Sequence, residues 1–387
     1  LTPSTEYAAR LELHKKNADG TDGGALLDAD GEAVVATQKF IPPTADGTVD
    51  VSVTFVPADG GGYGIVAFEE ISHHGTVYAA HADISDESQT VYTPKITTTA
   101  TDAATGTHIA RLGNHLAIDD VIEYASFERG TRCTVNGVAH RRDASGTDAG
   151  ALLDSSGNPV TASASFEADS PDGNVTLSFE ADVELDPNEA VVIFEEAVDD
   201  ETGAVIAAHA DIADESQTIH VPEIATTAVV KGKGTRFASS TSAFVIADTI
   251  EFEKLQSGVE YVVHGEAHGV DADGNDAGVL TGEDGKPIES TRTFKPENDV
   301  GETVVEVEID PRLATAKTVM FEKIGVKAGD GIAWIAEHKD IEDADQTIFV
   351  PAITTEAHDK TTGTHNGTAG SPATAIDEIS LSGLSEG

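Results

Sequence analysis

Four kinds of side chain in this sequence could do chemistry together. A threonine hydroxyl becomes a nucleophile when a base takes its proton, a glutamine amide can serve as an acyl donor, and an imidazole and carboxyls can move the proton. Thr98, Thr226 and Thr355 each stand fourth after a proline, at Pro94, Pro222 and Pro351. An Asp follows each Thr by 22 residues, at Asp120, Asp248 and Asp377. Gln89, Gln217 and Gln346 each follow a His by 8 residues, at His81, His209 and His338. Glu69, Glu195 and Glu322 close a Phe-Glu run; they are preferred to their neighbours, which read Glu70, Glu196 and then Lys323. These spacings hold although the repeat they belong to lengthens from 128 to 129 residues.

Side chains two apart on a strand share a face, which places each of these groups in an apolar row. Thr98 lies between Ile96 and Ala100, Thr226 between Ile224 and Ala228, and Thr355 between Ile353 and Ala357. Asp120 runs with Ile122 and Tyr124, Asp248 with Ile250 and Phe252, and Glu195 with Ile193. His209 follows Val205 and Ala207, while Gln217 precedes Ile219 and Val221. Burying one unpartnered polar group costs one to several kcal/mol, so five facing one small core must meet one another. The chemistry implied is acyl transfer from Gln to Thr, releasing ammonia and leaving an ester.

The elements that must position these groups repeat with them. HADISDESQT at 81–90 returns as HADIADESQT at 209–218 and HKDIEDADQT at 338–347. VAFEE, VIFEE and VMFEK, then ITTTA, IATTA and ITTEA, recur in the same order. A unit of this length is one domain rather than a solenoid turn. The reading is an incomplete unit at 1–94 that lacks its opening strand, complete units at 95–222 and 223–351, and an opening fragment at 352–387. Leu1 to Tyr7 matches Leu255 to Tyr261, and Leu384-Ser-Glu-Gly387 begins the same pattern. Short β-branched runs separated by Gly/Asp turns predict an all-β chain of tandem Ig-like or CnaB-like antiparallel β-sandwiches strung as a rod.

The composition narrows the function. The chain has 387 residues, with 23 Lys and Arg against 69 Asp and Glu, a net charge of −46. That balance argues against nucleic acid and anionic membranes as partners, because nothing here would neutralise phosphates. One cysteine, Cys133, allows no internal disulfide and no cysteine-based zinc site. No run of about 18 apolar residues and no charged-then-apolar leader occurs, so neither membrane insertion nor a signal peptide is expected in this segment. A start at Leu1 without Met reads as a piece of a longer chain.

Taken together, the Phe-Glu run, H-x-D-x-x-D-x-x-Q-T and I-x-T-x-A make the sequence resemble the VaFE-repeat, ester-bond-forming stalk domains of Gram-positive cell-surface adhesins. The resemblance implies an extracellular, cell-wall-associated stalk whose partners are the neighbouring domains of the same chain, with no cofactor and no metal. It implies a self-catalysed, single-turnover ester between Thr98 and Gln217 helped by Asp120, Glu195 and His209. In the next unit it implies one between Thr226 and Gln346 helped by Asp248, Glu322 and His338. Glu69, His81 and Gln89 lack a Thr and an Asp, and Thr355 with Asp377 lacks the rest, so neither end unit is expected to crosslink by itself.

Rival readings compete with the crosslink. A lone Thr in a strand or His on an apolar face is ordinarily structural. A Lys–Asn isopeptide would need a Lys on each opening strand, yet Lys95 becomes Glu223 and Ala352. A hydrolase would need an open cleft. Asp271-Ala-Asp-Gly-Asn-Asp276 has calcium-like spacing but lacks the distal Glu, and reads more simply as a solvated turn. The acidity also suits high salt. The alternative function is a ligand-binding adhesin region, with calcium in such turns, whose sandwiches contact a host or partner directly.

Overall fold

The computed structural model describes residues 1–387 apart from 58–59, 188, 371 and 385–387, so most of the closing Leu384 to Gly387 run lies outside the described residues. The chain is nearly all-β, built from several antiparallel sheets in tandem. Among the described residues no helix is long and apolar enough to cross a membrane. Two compact units divide it. Unit 1 takes 1–100, 117–181 and 191–218; unit 2 takes 101–116, 182–190 and 219–387.

The repeat at 223–351, within unit 2, shows the architecture. Its opening strand Glu223–Val230 pairs with Phe244–Glu253, which pairs in turn with Gly301–Ile309, making a three-stranded sheet. Opposite it, Tyr261–Val270 pairs with Asp276–Val279, Glu289–Phe294 and Lys317–Ala328. Lys317–Ala328 then pairs with Gly331–His338 and Thr347–Phe349. The opening strand alternates exposed and buried along its length, with Ile224, Thr226, Ala228 and Val230 turned inward. That is the pattern of one solvated and one buried face. Ile224, Ile250 and Val305 from the first sheet meet Tyr261, Val263 and Ile324 from the second in one core. Ala228, Val307, Met320 and Ile348 meet in another.

The repeat at 95–222, most of which lies in unit 1, follows the same plan with Lys95–Asp102, His115–Ala125 and Gly173–Asp182 as its three-stranded sheet. Its larger sheet contains Arg132–Arg142, Ala190–Asp199, Val205–His209 and Thr218–His220. Among the described residues, 1–93 form the larger sheet alone, around Tyr7–Lys16 and Tyr63–His73. Val51, Val53 and Phe55 pack on its Leu11, Leu13 and Ile65 core without belonging to a strand. Near the other end, Ala352–Asp359 and Ala375–Ser382 make a two-stranded sheet with Ile353, Ile379 and Leu381 exposed.

Candidate crosslinking site

In both complete repeats the small sheet contributes Thr and Asp. Thr226 pairs with Ile250 and Asp248 with Ala228, so the two functional residues are diagonal neighbours on one face. From the large sheet come Glu and His as a direct cross-strand pair: Glu195 with His209, Glu322 with His338, and also Glu69 with His81. Gln enters between the sheets. Thr98, Asp120, Glu195 and Gln217 are all buried, as are Thr226, Asp248, Glu322 and Gln346.

Two local expectations need correction. Gln217 does not lie in a strand; it ends a one-turn 3-10 helix, Glu215–Gln217, ahead of the short strand Thr218–His220. Asp214 builds that turn: its Oδ1 accepts from the Ser216 amide at 2.8 Å, and its carbonyl accepts from the Thr218 hydroxyl at 2.7 Å. The simple row Val205, Ala207, His209 also fails. A bulge shifts the register between Ala197 and Val198, which leaves Val205 exposed while Ala207 is buried and His209 half-buried. Bulges re-aim side chains in this way, and sequence alternation cannot reveal one. The same shift recurs between Ile71 and Ser72, and between Ile324 and Gly325.

The hydrogen bonds centre on the amide. Gln217 Nε2 donates to Glu195 Oε2 at 2.5 Å, and Gln346 Nε2 contacts both Glu322 Oε2 and the Thr226 hydroxyl. In the second repeat the Thr98 hydroxyl has no partner, although Ser216 Oγ holds the Thr98 carbonyl at 3.0 Å. Both oxygens of Asp120 and of Asp248, and Oε1 of Glu195 and of Glu322, are buried without a well-formed hydrogen bond. A proton shared between the two carboxyls meets that need. Burial raises Asp120 and Asp248 above the usual carboxylate range. Burial raises Glu195 and Glu322 further, with the adjacent Asp adding to the shift. In each pair one proton is therefore shared between the Asp and the Glu.

A residue that the sequence pattern alone does not single out completes the site. His209 Nε2 lies 2.9 Å from Asp214 Oδ2, and His338 Nε2 lies 3.0 Å from Asp343 Oδ2. Asp86 does the same for His81 at 3.0 Å. Asp214 stays below the usual range against its burial because Ser216 and His209 stabilise its charge. The motif does carry a signal for it: an Asp stands five residues after each His and three before each Gln. Among the described residues no hydrogen bond joins either His ring to the Thr hydroxyl. On Asp120 and Asp248 the charge of His209 and His338 opposes, without cancelling, the rise that burial imposes.

One family model, described as the T-Q ester bond containing domain, matches residues 1–93, 94–221 and 222–350. The chain belongs to the T-Q ester bond domain family. No curated protein matches it. Among solved structures, an adhesin from Mobiluncus mulieris, described as containing intramolecular disulfide, isopeptide and ester bond cross-links, is similar over 75% of this chain and 97% of its own. The identity there is 10% and the TM-score 0.26. The C-terminal domain of the Streptococcus agalactiae AgI/II polypeptide BspA is similar over 66% of this chain and 99% of its own, at 9% identity and a TM-score of 0.30.

The incomplete sets of this T-Q family chain are open. Gln89 Nε2 donates to Glu69 Oε2 at 2.7 Å, but both residues are only half-buried and His81 is exposed. Thr355 and Asp377 are exposed on their hairpin. Outside the sets, ligand atoms of His264, Glu266 and Glu289 lie within 4.8 Å of one another, and Lys323 Nζ stands 4.0 Å from Glu266 as a cation already in place. In the Asp271 turn, Asp271 Oδ1 accepts from the Asp273 amide at 2.9 Å and the Asn275 amide at 2.8 Å.

Proposed function

We propose that the chain is a segment of an extracellular adhesin stalk, cell-wall-associated, in which the repeats 95–222 and 223–351 each carry one internal Thr–Gln ester. The Gln346 amide, buried against both the Thr226 hydroxyl and the Glu322 carboxyl, is the observation that carries this reading. The Thr oxygen attacks Cδ of Gln, forming a C–O bond. The hydroxyl proton passes to the Asp–Glu carboxyl pair, which returns a proton to the amide nitrogen beside Glu, and the C–N bond breaks to release ammonia. His338, held by Asp343, opposes the rise that burial imposes on Asp248 and so favours its taking part in this relay as a base. Each set turns over once, because the buried hydroxyl admits no outside substrate. The ester joins the first strand of a sandwich to the turn before its last, so pulling force runs through a covalent bond rather than through ladder hydrogen bonds. Neighbouring domains of the same chain are its partners.

Intact mass tests the reading. Each ester expels one ammonia, about 17 Da, so the purified chain should weigh roughly 34 Da less than its sequence. Thr98→Ala and Thr226→Ala should each recover one ammonia. A folded chain at its full sequence mass would remove the proposal.

A further inference from the structure

Residues 101–116 follow the opening strand of the second repeat, yet they pack in unit 2 with the third. The segment is internally braced. Asp102 Oδ1 accepts from the Ala104 amide at 3.1 Å and the Thr105 amide at 2.9 Å, and Arg111 Nε donates to Asp102 Oδ2 at 2.8 Å. It runs parallel to the end of its own repeat: the Ala110 amide donates to the His220 carbonyl and the His220 amide to the His108 carbonyl, both at 2.8 Å. Two further bonds reach the following repeat. The His108 amide donates to Gln256 Oε1 at 3.0 Å, and the Leu112 amide to the Trp334 carbonyl at 2.7 Å. Between these bonds Ile109, 1% exposed, enters the core formed by Ile224, Ile250, Phe252, Leu255 and Tyr261.

The third repeat carries the same strap with its tip exposed. Phe237 bridges Phe349 in parallel, with the Ala238 amide donating to the Phe349 carbonyl at 2.9 Å and the Phe349 amide to the Arg236 carbonyl at 2.7 Å. Phe237 stands where Ile109 stands, but it is 42% exposed and stacks on Phe349 with ring centroids 5.4 Å apart. The residues matching Ile224, Ile250 and Phe252 one period on are Ile353, Ile379 and Leu381, and they too are exposed.

We infer that this strap is a joint through which each repeat completes the hydrophobic core of the next. The sandwich 223–351 is not self-sufficient: its core is closed by Ile109, held in place by backbone bonds on both sides. Phe237 with Phe349 is the equivalent surface toward the repeat that opens at Ala352, and its partner is that repeat's own core. The joint needs no ester, so it stands or falls separately from the crosslinking proposal.

Trp334, the only tryptophan in the chain, reports on the third repeat alone. Ile109→Asp, a change made in the second repeat, should lower the thermal midpoint read by Trp334 fluorescence by about 10 °C. Intact mass on the same samples ensures that variants of equal ester content are compared. Ile109→Ala and Gln256→Ala should lower it by a few degrees, which keeps the test readable if the Asp variant fails to fold. Phe237→Asp, which removes only a half-exposed stacked pair, should lower it much less than Ile109→Asp. A Trp334 transition unchanged in Ile109→Asp and Ile109→Ala would overturn the joint, as would an equal shift from Phe237→Asp.

Discussion

The set at 223–351 and the set at 1–93 share three residue types and one cross-strand pair, yet they differ in what surrounds them. Glu322 and Gln346 are fully buried, whereas Glu69 and Gln89 are half-buried. The His338 side chain is 25% exposed and the His81 side chain 52%. The Gln-to-Glu hydrogen bond and the His–Asp contact form in both. The large sheet alone therefore orients the amide and the imidazole. The small sheet supplies the Thr226 hydroxyl, the second carboxyl and the exclusion of water that the proposed ester chemistry needs. In a dry site the carboxyls are raised and the proton is held where a leaving amide can take it.

The largest effect expected from breaking this contrast is in Thr226→Ala. Losing a covalent loop that spans the 120 residues from Thr226 to Gln346 should cost the third repeat about 5 kcal/mol by the chain-entropy argument. A lower denaturant midpoint by Trp334 fluorescence would register it, and an unchanged midpoint would mean that no ester had formed. Next is Glu322→Ala, which strips the Gln346 amide of its buried acceptor and leaves Asp248 alone. It should abolish the ammonia loss in that repeat and, compared in a Thr226→Ala background where neither chain carries the ester, destabilise it by about 3 kcal/mol, whereas Glu69→Ala should cost under about 1 kcal/mol.

A pH series sharpens the role of burial. In Thr226→Ala, Asp248 and Glu322 remain raised from ordinary values of 3.8 and 4.5. A folded-state pKa above the unfolded one favours the protonated fold. The stability these groups contribute is therefore present at low pH and lost as pH rises past those ordinary values toward the folded ones. Denaturant midpoints from pH 4 to 8 should fall accordingly, and the slope should shrink in the double variant with Glu322→Gln. A rising midpoint would contradict the assignment.

The smallest effects concern the imidazole. His209→Ala should leave the second repeat folded but slow its crosslinking, and Asp214→Asn should slow it less, with the third repeat unaffected in both. Time-resolved mass after refolding reads each repeat once the other is silenced by its Thr→Ala change. Crosslinking at the original rate in His209→Ala would show that the charge beside Asp120 is dispensable.

Much of the site is legible in the amino-acid order itself, because the alternation that carries it is local. Ile96, Thr98 and Ala100 share one face whatever the rest of the chain does, and a polar residue kept in that row needs partners. The repeat shows which residues recur together, and their chemistry follows from their types. Three matters are decided only by tertiary structure. The bulge that turns His209 away from Val205 depends on strand pairing, which no period-two pattern records. Asp214 is visible in the motif, but its role as the partner of His209 depends on how the 3-10 turn folds back on the neighbouring strand. Ile109 reads in sequence as one more loop residue, and its place in the next repeat's core comes from contacts more than a hundred residues away. Local backbone geometry sets the faces of a strand; which faces meet is settled by the packing of distant segments.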